Sequence, residues 1–230
     1  MAFVNYEDEN IQTANITKNK ITFGLSPKCD YYADQITLNE IGSNFKVHTK
    51  TGKELEVKTK LLGKHNIINI TGAIAICDYL GLSQEEILAG VRFLKPVPHR
   101  LELKMHANGN IIIDDAYNSN SSGAKMALEV LKNFQNKTRI LVTPGIVDLG
   151  EETEKYNKTL GNQAAEAADY IILVGEKQAK PIKKGILEKN YKEENIFIAK
   201  DLGEAINKMN EVAKENSVIL LENDLPDNYL

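Results

Sequence analysis

From residue 98 onward the chain alternates short apolar runs with helical patterns. RILVT (139–143), YIILVG (170–175), NIFIA (195–199) and SVILLE (217–222) are the apolar runs. Between them, apolar residues recur at helical spacing: Leu128, Leu131 and Phe134; Tyr156, Leu160 and Ala164; Leu202, Ile206 and Met209. A chain that returns to a short apolar run after each helix predicts a parallel sheet with helices on both faces, an α/β fold. LELKMHANGNIIID (101–114) precedes this alternation and reads as two strands around Asn108-Gly109, a strong short hairpin signal.

Upstream the rhythm differs. The first residues after Met1 and ITFGL (21–25) are short apolar runs that suit buried strands. Between about 28 and 62, NFKVHTK and ELEVKTKLL alternate around a Thr-Gly turn, which predicts antiparallel hairpins. Two helices follow. Ile67, Ile70, Ile74 and Cys77 give the first a core face, and Ile87, Val91 and Leu94 are the expected stripe of the second. Ser83 and Glu86 form a capping box, with Leu82 and Ile87 at the staple positions. Pro96 and Pro98 then stop the helix, since proline lacks the N–H and restricts its predecessor. KPVPHR (95–100) is therefore the expected boundary between domains at 1–97 and 98–230.

Composition narrows the function classes. The 230 residues, 42% hydrophobic and 26% charged, supply an ordinary globular core. Net charge is −4 with signs interspersed, and no basic stripe points to nucleic acid. No apolar run is long enough to span a membrane, and MAFVNYEDEN is not a secretory signal. Two cysteines make neither a disulfide framework nor a metal site, so a cytoplasmic protein is expected. Four scattered histidines form no metal motif, no Ser/His/Asp arrangement is supported, and GxxxxGK[ST] is absent. Lys180, Lys183, Lys184, Lys189 and Lys192 read as a solvated face.

In parallel sheets, ligands bind beyond the carboxyl ends of the strands. DDAYNSN after 113, TPGIVDLGEE after 142, GEKQ after 174 and ENDLPDNYL after 221 would share that rim. DDAYNSN reads either as a turn or as a site where Asp114 or Asp115 accepts hydrogen bonds from ribose, with a helix N-terminus near Ser119–Ser122 suited to an anion. TPGIVDLGEE is either a capped loop or a source of Asp148, Glu151 and Glu152 for a cationic amine or a metal. Asn66 and Asn69, three apart on one helical face, could read a purine edge or merely cap a helix.

GKHNIIN (63–69), PHRLE (98–102), IIDDAYNSN (112–120) and DLGEE (148–152), in this order, resemble the carboxy-terminal half of Mur ligases, most of all the members that add D-alanyl-D-alanine. The resemblance implies a Rossmann-like carboxy-terminal domain, preceded by the partial end of a central ATPase domain whose P-loop would lie upstream. It implies an ATP- and Mg2+-dependent ligase that joins an amino acid or dipeptide to a UDP-muramoyl peptide through an acyl phosphate, with neither cofactor held by this chain alone. By position, Asn66 and Asn69 would contact adenine, Arg100 and His99 would reach the phosphates, Asp115 would hold ribose, and Tyr117, Asn118 and Asn120 would lie near the phosphates. VNYED (4–8) departs from the family's Asn-Ala-Asp-Asp strand end at Tyr6 and Glu7, and Glu222-Asn223-Asp224 replaces a basic turn, an acidic segment poorly suited to a ligand carboxylate. A non-catalytic binding module and a folylpolyglutamate-synthase-like ligase fragment are the alternatives.

Overall fold

The computed structural model describes residues 1–13, 19–39, 41–106 and 108–224. The chain divides into two compact units, Met1–Pro96 and Val97–Leu230. Of the ENDLPDNYL segment after 221, residues 225–230 lie outside the described residues. Among the described residues, no helix is long and apolar enough to cross a membrane.

Unit 1 is built on a five-stranded sheet. Its elements are β1 (Ala2–Asn5), α1 (Glu9–Thr13), β2 (Lys20–Gly24), β3 (Tyr31–Asn39), β4 (Gly42–His48), β5 (Glu54–Thr59), α2 (Lys64–Tyr79) and α3 (Gln84–Arg92). The strands lie in the order β1-β2-β3-β4-β5; the first three run parallel, and β3, β4 and β5 form the antiparallel meander. Alternation in β5 sends Leu55 and Val57 inward, where they meet Phe45, Val47 and the α2 face of Ile67, Ile70 and Ile74. The capping box at Ser83–Glu86 forms as expected. Leu94 does not join the stripe: α3 ends at Arg92, so Leu94 is released into the following turn and exposed. Leu82, at the outer staple position, is partly exposed, whereas Ile87 is buried.

Unit 2 contains β6 (Glu102–Met105), β7 (Ile111–Asp115), α4 (Ser121–Lys132), β8 (Thr138–Thr143), α5 (Thr153–Ala167), β9 (Tyr170–Val174), α6 (Glu176–Leu187), β10 (Ile196–Ala199), α7 (Leu202–Val212) and β11 (Ser217–Glu222). Strand order is β10-β9-β8-β11-β7-β6, parallel throughout except for β6, which closes the edge as the hairpin partner of β7. Continuous apolar strands such as Ile171–Val174 are buried because both faces are covered. One face carries Ile140, Val142, Ile172, Val174 and Ile219 and packs against α7. The stripe expected on α7 is rotated: Leu202 and Ile206 are exposed, and contact is made through Ala205, Met209 and Val212, spaced four and three apart. The small Ala205 lets the helix lie close to the sheet, which turns its two larger neighbours outward. The lysines of α6 and its exit are charge-balanced, with Lys183 paired to Glu193, Lys184 to Glu154 and Lys189 to Glu166.

Candidate functional site

All five parallel strands of unit 2 end on one rim, and the strand order fixes which loops are neighbours there. β11 lies between β7 and β8, so the Asp-rich end of β7, the Glu222-Asn223 turn and the Thr143–Ile146 loop are adjacent. The sequence alone left that order open, because β11 is the last strand in the chain and enters the middle of the sheet.

Two carboxylates in succession on a strand must face opposite ways. Asp114 is buried, and its carboxylate receives Lys104 Nζ at 2.5 Å and pairs with His99 Nδ1 at 2.9 Å. Burial alone would raise its pKa, but the Lys104 ammonium, the Ala116 N–H and His99 outweigh it and hold the carboxyl below the usual range. Asp115, half-buried, faces the other side, where the Leu101 N–H donates to its Oδ1 at 2.9 Å. That bond helps hold an unusual backbone: His99 and Leu101 both have left-handed φ, +59° and +48°, which non-glycine residues adopt only when their surroundings impose it.

Between those two residues, Arg100 is carried to the surface. Its guanidinium lies 4.5 Å over the exposed Tyr117 ring and donates to the Asn118 carbonyl at 3.5 Å. The rim therefore presents an exposed cation, an aromatic face and a carboxylate from one hairpin and the loop after it. Asn120 stands at the start of α4. Its Oδ1 caps α4 by accepting from Ser122 and Gly123 N–H at 3.1 and 2.9 Å, so two of the amides expected to meet an anion are already satisfied.

In the Glu222-Asn223-Asp224 segment only Asp224 is exposed. Glu222 and Asn223 are buried. Asn223 adopts φ +66°, accepts from Ser119 N–H at 3.1 Å and donates from Nδ2 to the Gly145 carbonyl at 2.7 Å, tying three loops together. Glu222 accepts from the Ser119 hydroxyl. Sequence reading put this segment on the rim but gave neither residue a role there. The one signal that could have found them was their place at the end of the apolar run SVILLE, where a side chain has little access to water.

The loop after β8 is held from below. Asn157, fully buried in α5, donates to Ile146 O and accepts from Ile146 N–H, both at 2.8 Å. Gly145 takes φ +85°, and a Cβ there would sit 2.5 Å from Asn157 Oδ1, so this turn requires glycine. Beyond it, Asp148, Glu151 and Glu152 are exposed, and Glu152 pairs with Lys155 at 2.6 Å. Among the described residues, no group of three or more His, Cys, Asp or Glu could hold a metal ion. In unit 1, Asn66 spends its Nδ2 on the Leu62 carbonyl at 2.7 Å, while Asn69 is exposed on α2. Glu7, at the departure from the family's strand end, accepts from Leu25 N–H at 2.7 Å.

Comparison with known proteins gives this rim a context. Residues 99–222 match the family model "Mur ligase, glutamate ligase domain", and residues 1–77 match "Mur ligase middle domain". A UDP-N-acetylmuramate–L-alanine ligase from Dictyoglomus turgidum is 30% identical over 95% of this chain and 49% of its own length. A UDP-N-acetylmuramoyl-tripeptide–D-alanyl-D-alanine ligase from Escherichia coli is 34% identical over 64% of this chain and 32% of its own. Among solved structures, MurF from Acinetobacter baumannii superposes with a TM-score of 0.80 at 27% identity, covering 97% of this chain and 48% of that one. The chain thus spans half or less of the length of these relatives.

Proposed function

The chain belongs to the Mur ligase family, and on that premise we propose that it is part of an ATP-dependent, amide-bond-forming ligase of peptidoglycan precursor synthesis. In this reading residues 1–97 are the end of the central ATP-binding domain, and residues 98–230 are the Rossmann-like domain that receives the incoming amino acid or dipeptide. A carboxylate oxygen of a UDP-muramoyl peptide takes the γ-phosphoryl group of ATP, and ADP leaves. The amine then attacks the acyl phosphate; the C–N bond forms, inorganic phosphate departs with the electrons of the C–O bond, and the amine releases its proton. Such reactions are accelerated mainly by positioning and charge stabilisation.

The observation that carries the reading is the placing of Arg100 and Asp115 on one rim, inside the segment that matches the family. A carboxylate offers about four acceptor positions, and the Leu101 N–H occupies one of those on Asp115. Ribose hydroxyls are assigned to others of these positions. Arg100, exposed over Tyr117 with His99 and Asn118 beside it, supplies a cation for nucleotide phosphate. Asn120 contributes by capping α4. In unit 1, Asn69 and the Oδ1 of Asn66 are assigned to adenine. Asp148, Glu151 and Glu152 are assigned to the ammonium group of the incoming substrate. Because the sequence contains no GxxxxGK[ST], the grip on the β- and γ-phosphates and on Mg2+ is assigned to protein beyond these 230 residues. The same absence favours the second reading, a binding module without catalysis.

Calorimetry with MgADP tests the assignment. Asp115→Ala should weaken binding by about 1–3 kcal/mol, the usual loss for a buried hydrogen bond with an ionised partner, and phosphate release from ATP by the chain alone should be absent. Unchanged affinity in the variant would reject the assigned residue. ATP turnover proportional to chain concentration after repurification would reject the assignment of the phosphate grip.

A further inference from the structure

We propose that Glu222 is a positioning residue that fixes the Asp115 carboxyl group through a proton shared between the two side chains. The inference rests, for its functional meaning, on the reading of Asp115 as a nucleotide contact. Glu222 and Asp115 are direct neighbours on parallel strands, and Leu221 pairs with Asp114 in the same register. Alternation therefore puts Glu222 and Asp115 on one face and Asp114, with its Lys104 and His99 partners, on the other. The Glu222 carboxyl is 1% exposed, and its Oε1 accepts from the Ser119 hydroxyl. Its Oε2 is buried and, among the described residues, has no hydrogen-bond partner.

A buried carboxylate oxygen without a donor is costly, and two adjacent carboxylates cannot both ionise cheaply. One proton removes both costs. Carried on Glu222 Oε2, it makes that oxygen a donor toward Asp115, while Asp115 Oδ1 keeps its bond from the Leu101 N–H. Burial, with the Asp115 charge beside it, pushes the Glu222 carboxyl up to about 8, against the pull of the Ser119 hydroxyl.

Neither strand beside β11 brings a cation to this position. From β7 the group facing Glu222 is Asp115; β8, on the other side of β11, ends in Thr143 and brings no titratable side chain there. The loop before α4 brings Ser119, and α4 itself, packed over β11, carries Lys125, Glu129 and Lys132. Asp115 is thus held from two sides, by a backbone N–H and by a neutral acid, with its remaining acceptor positions directed by that grip. The acidic turn that departs from the family pattern becomes part of the support for the rim.

Carboxyl 13C NMR on the full chain, labelled at Glu and Asp, tests this directly. The expected result is one glutamate resonance, absent in Glu222→Gln, that titrates near pH 8, with the Asp115 resonance (assigned with Asp115→Asn) moving in the same step. ADP titrations on the same samples provide the second readout. Glu222→Gln, whose amide can still donate to Asp115, should hold the affinity that the wild type shows at pH 6, within about twofold, all the way to pH 9. Glu222→Ala should lose about tenfold at pH 7, and the wild type should weaken by a similar factor above pH 8. A Glu222 resonance titrating with ordinary glutamates near 4.5 overturns the proposal, as does an identical pH profile for wild type and Glu222→Gln. If Asp115→Ala weakens ADP binding while Glu222 titrates normally, the nucleotide reading stands and the shared proton falls. If Glu222 titrates near 8 while neither alanine variant alters ADP binding, the carboxyl pair stands and the nucleotide reading falls.

Discussion

Gly185→Ala should destabilise unit 2 by about 3 kcal/mol, the upper range for overpacking a tight interface, and lower its melting temperature by roughly 10 °C. Gly185 in α6 faces Gly161 in α5, and the two helices touch there through their backbones. A Cβ on Gly185 would lie 2.0 Å from the Lys158 carbonyl oxygen, and one on Gly161 would lie 2.1 Å from that of Ile182. No flexible side chain can move aside; the helices themselves must separate, and Ile182, Ile186 and Leu160, all buried, would lose packing. Against this, glycine-to-alanine in a helix gains only about 0.5–1 kcal/mol from reduced chain entropy and better propensity. Gly123→Ala in α4 is the control, since its nearest neighbour, Asn120 Oδ1, would sit at an ordinary 3.6 Å. Thermal or urea unfolding should therefore show opposite signs for the two variants. A Gly185→Ala protein as stable as the parent would mean that α5 and α6 do not approach in this way.

The second large effect is on the pH dependence of stability. Glu222 has its folded pKa raised from the ordinary 4.5 to about 8, so the folded chain binds the extra proton between those values. Where the native state holds more protons than the unfolded one, stability falls as pH rises. The contribution of Glu222 is then fully present below about 4.5, declines from there to 8 and is lost above 8. One proton sets a limiting slope of about 1.4 kcal/mol per pH unit; the wild type should approach about 1 kcal/mol per unit between pH 5 and 8. Asp114 and Asp169, whose pKa values are lowered, act in the opposite sense, losing stability as pH falls through the acid range. They are common to both proteins when wild type is compared with Glu222→Gln, so the difference between the two curves isolates Glu222. Parallel curves from pH 5 to 9 would show that Glu222 titrates alike in the folded and unfolded chain.

What could be read from sequence was periodic. The strands of unit 2 and the core face of α2 follow from spacing, because burial on two faces or on one stripe leaves a repeating mark. The rim residues at Arg100, Asp115 and Tyr117 were found because DDAYNSN and PHRLE are unusual in combination. What escaped depended on contacts between distant segments. Gly161 and Gly185 are single glycines in helical patterns, and only the crossing of α5 and α6 gives them a reason. Glu222 reads only as part of an acidic turn until β11 is placed between β7 and β8. Leu202 and Ile206 fit the helical period but lie on the wrong side of it, since Ala205 sets the approach of α7 to the sheet.

The most direct test of the central claim, that this rim receives a nucleotide, is amide NMR of the 15N-labelled chain titrated with MgADP. Saturable shifts are expected at Leu101 and across Asp115–Ser119, lost in Asp115→Ala while the rest of the spectrum is unchanged. Saturable shifts confined to residues away from that rim, or retained in full by Asp115→Ala, would contradict it.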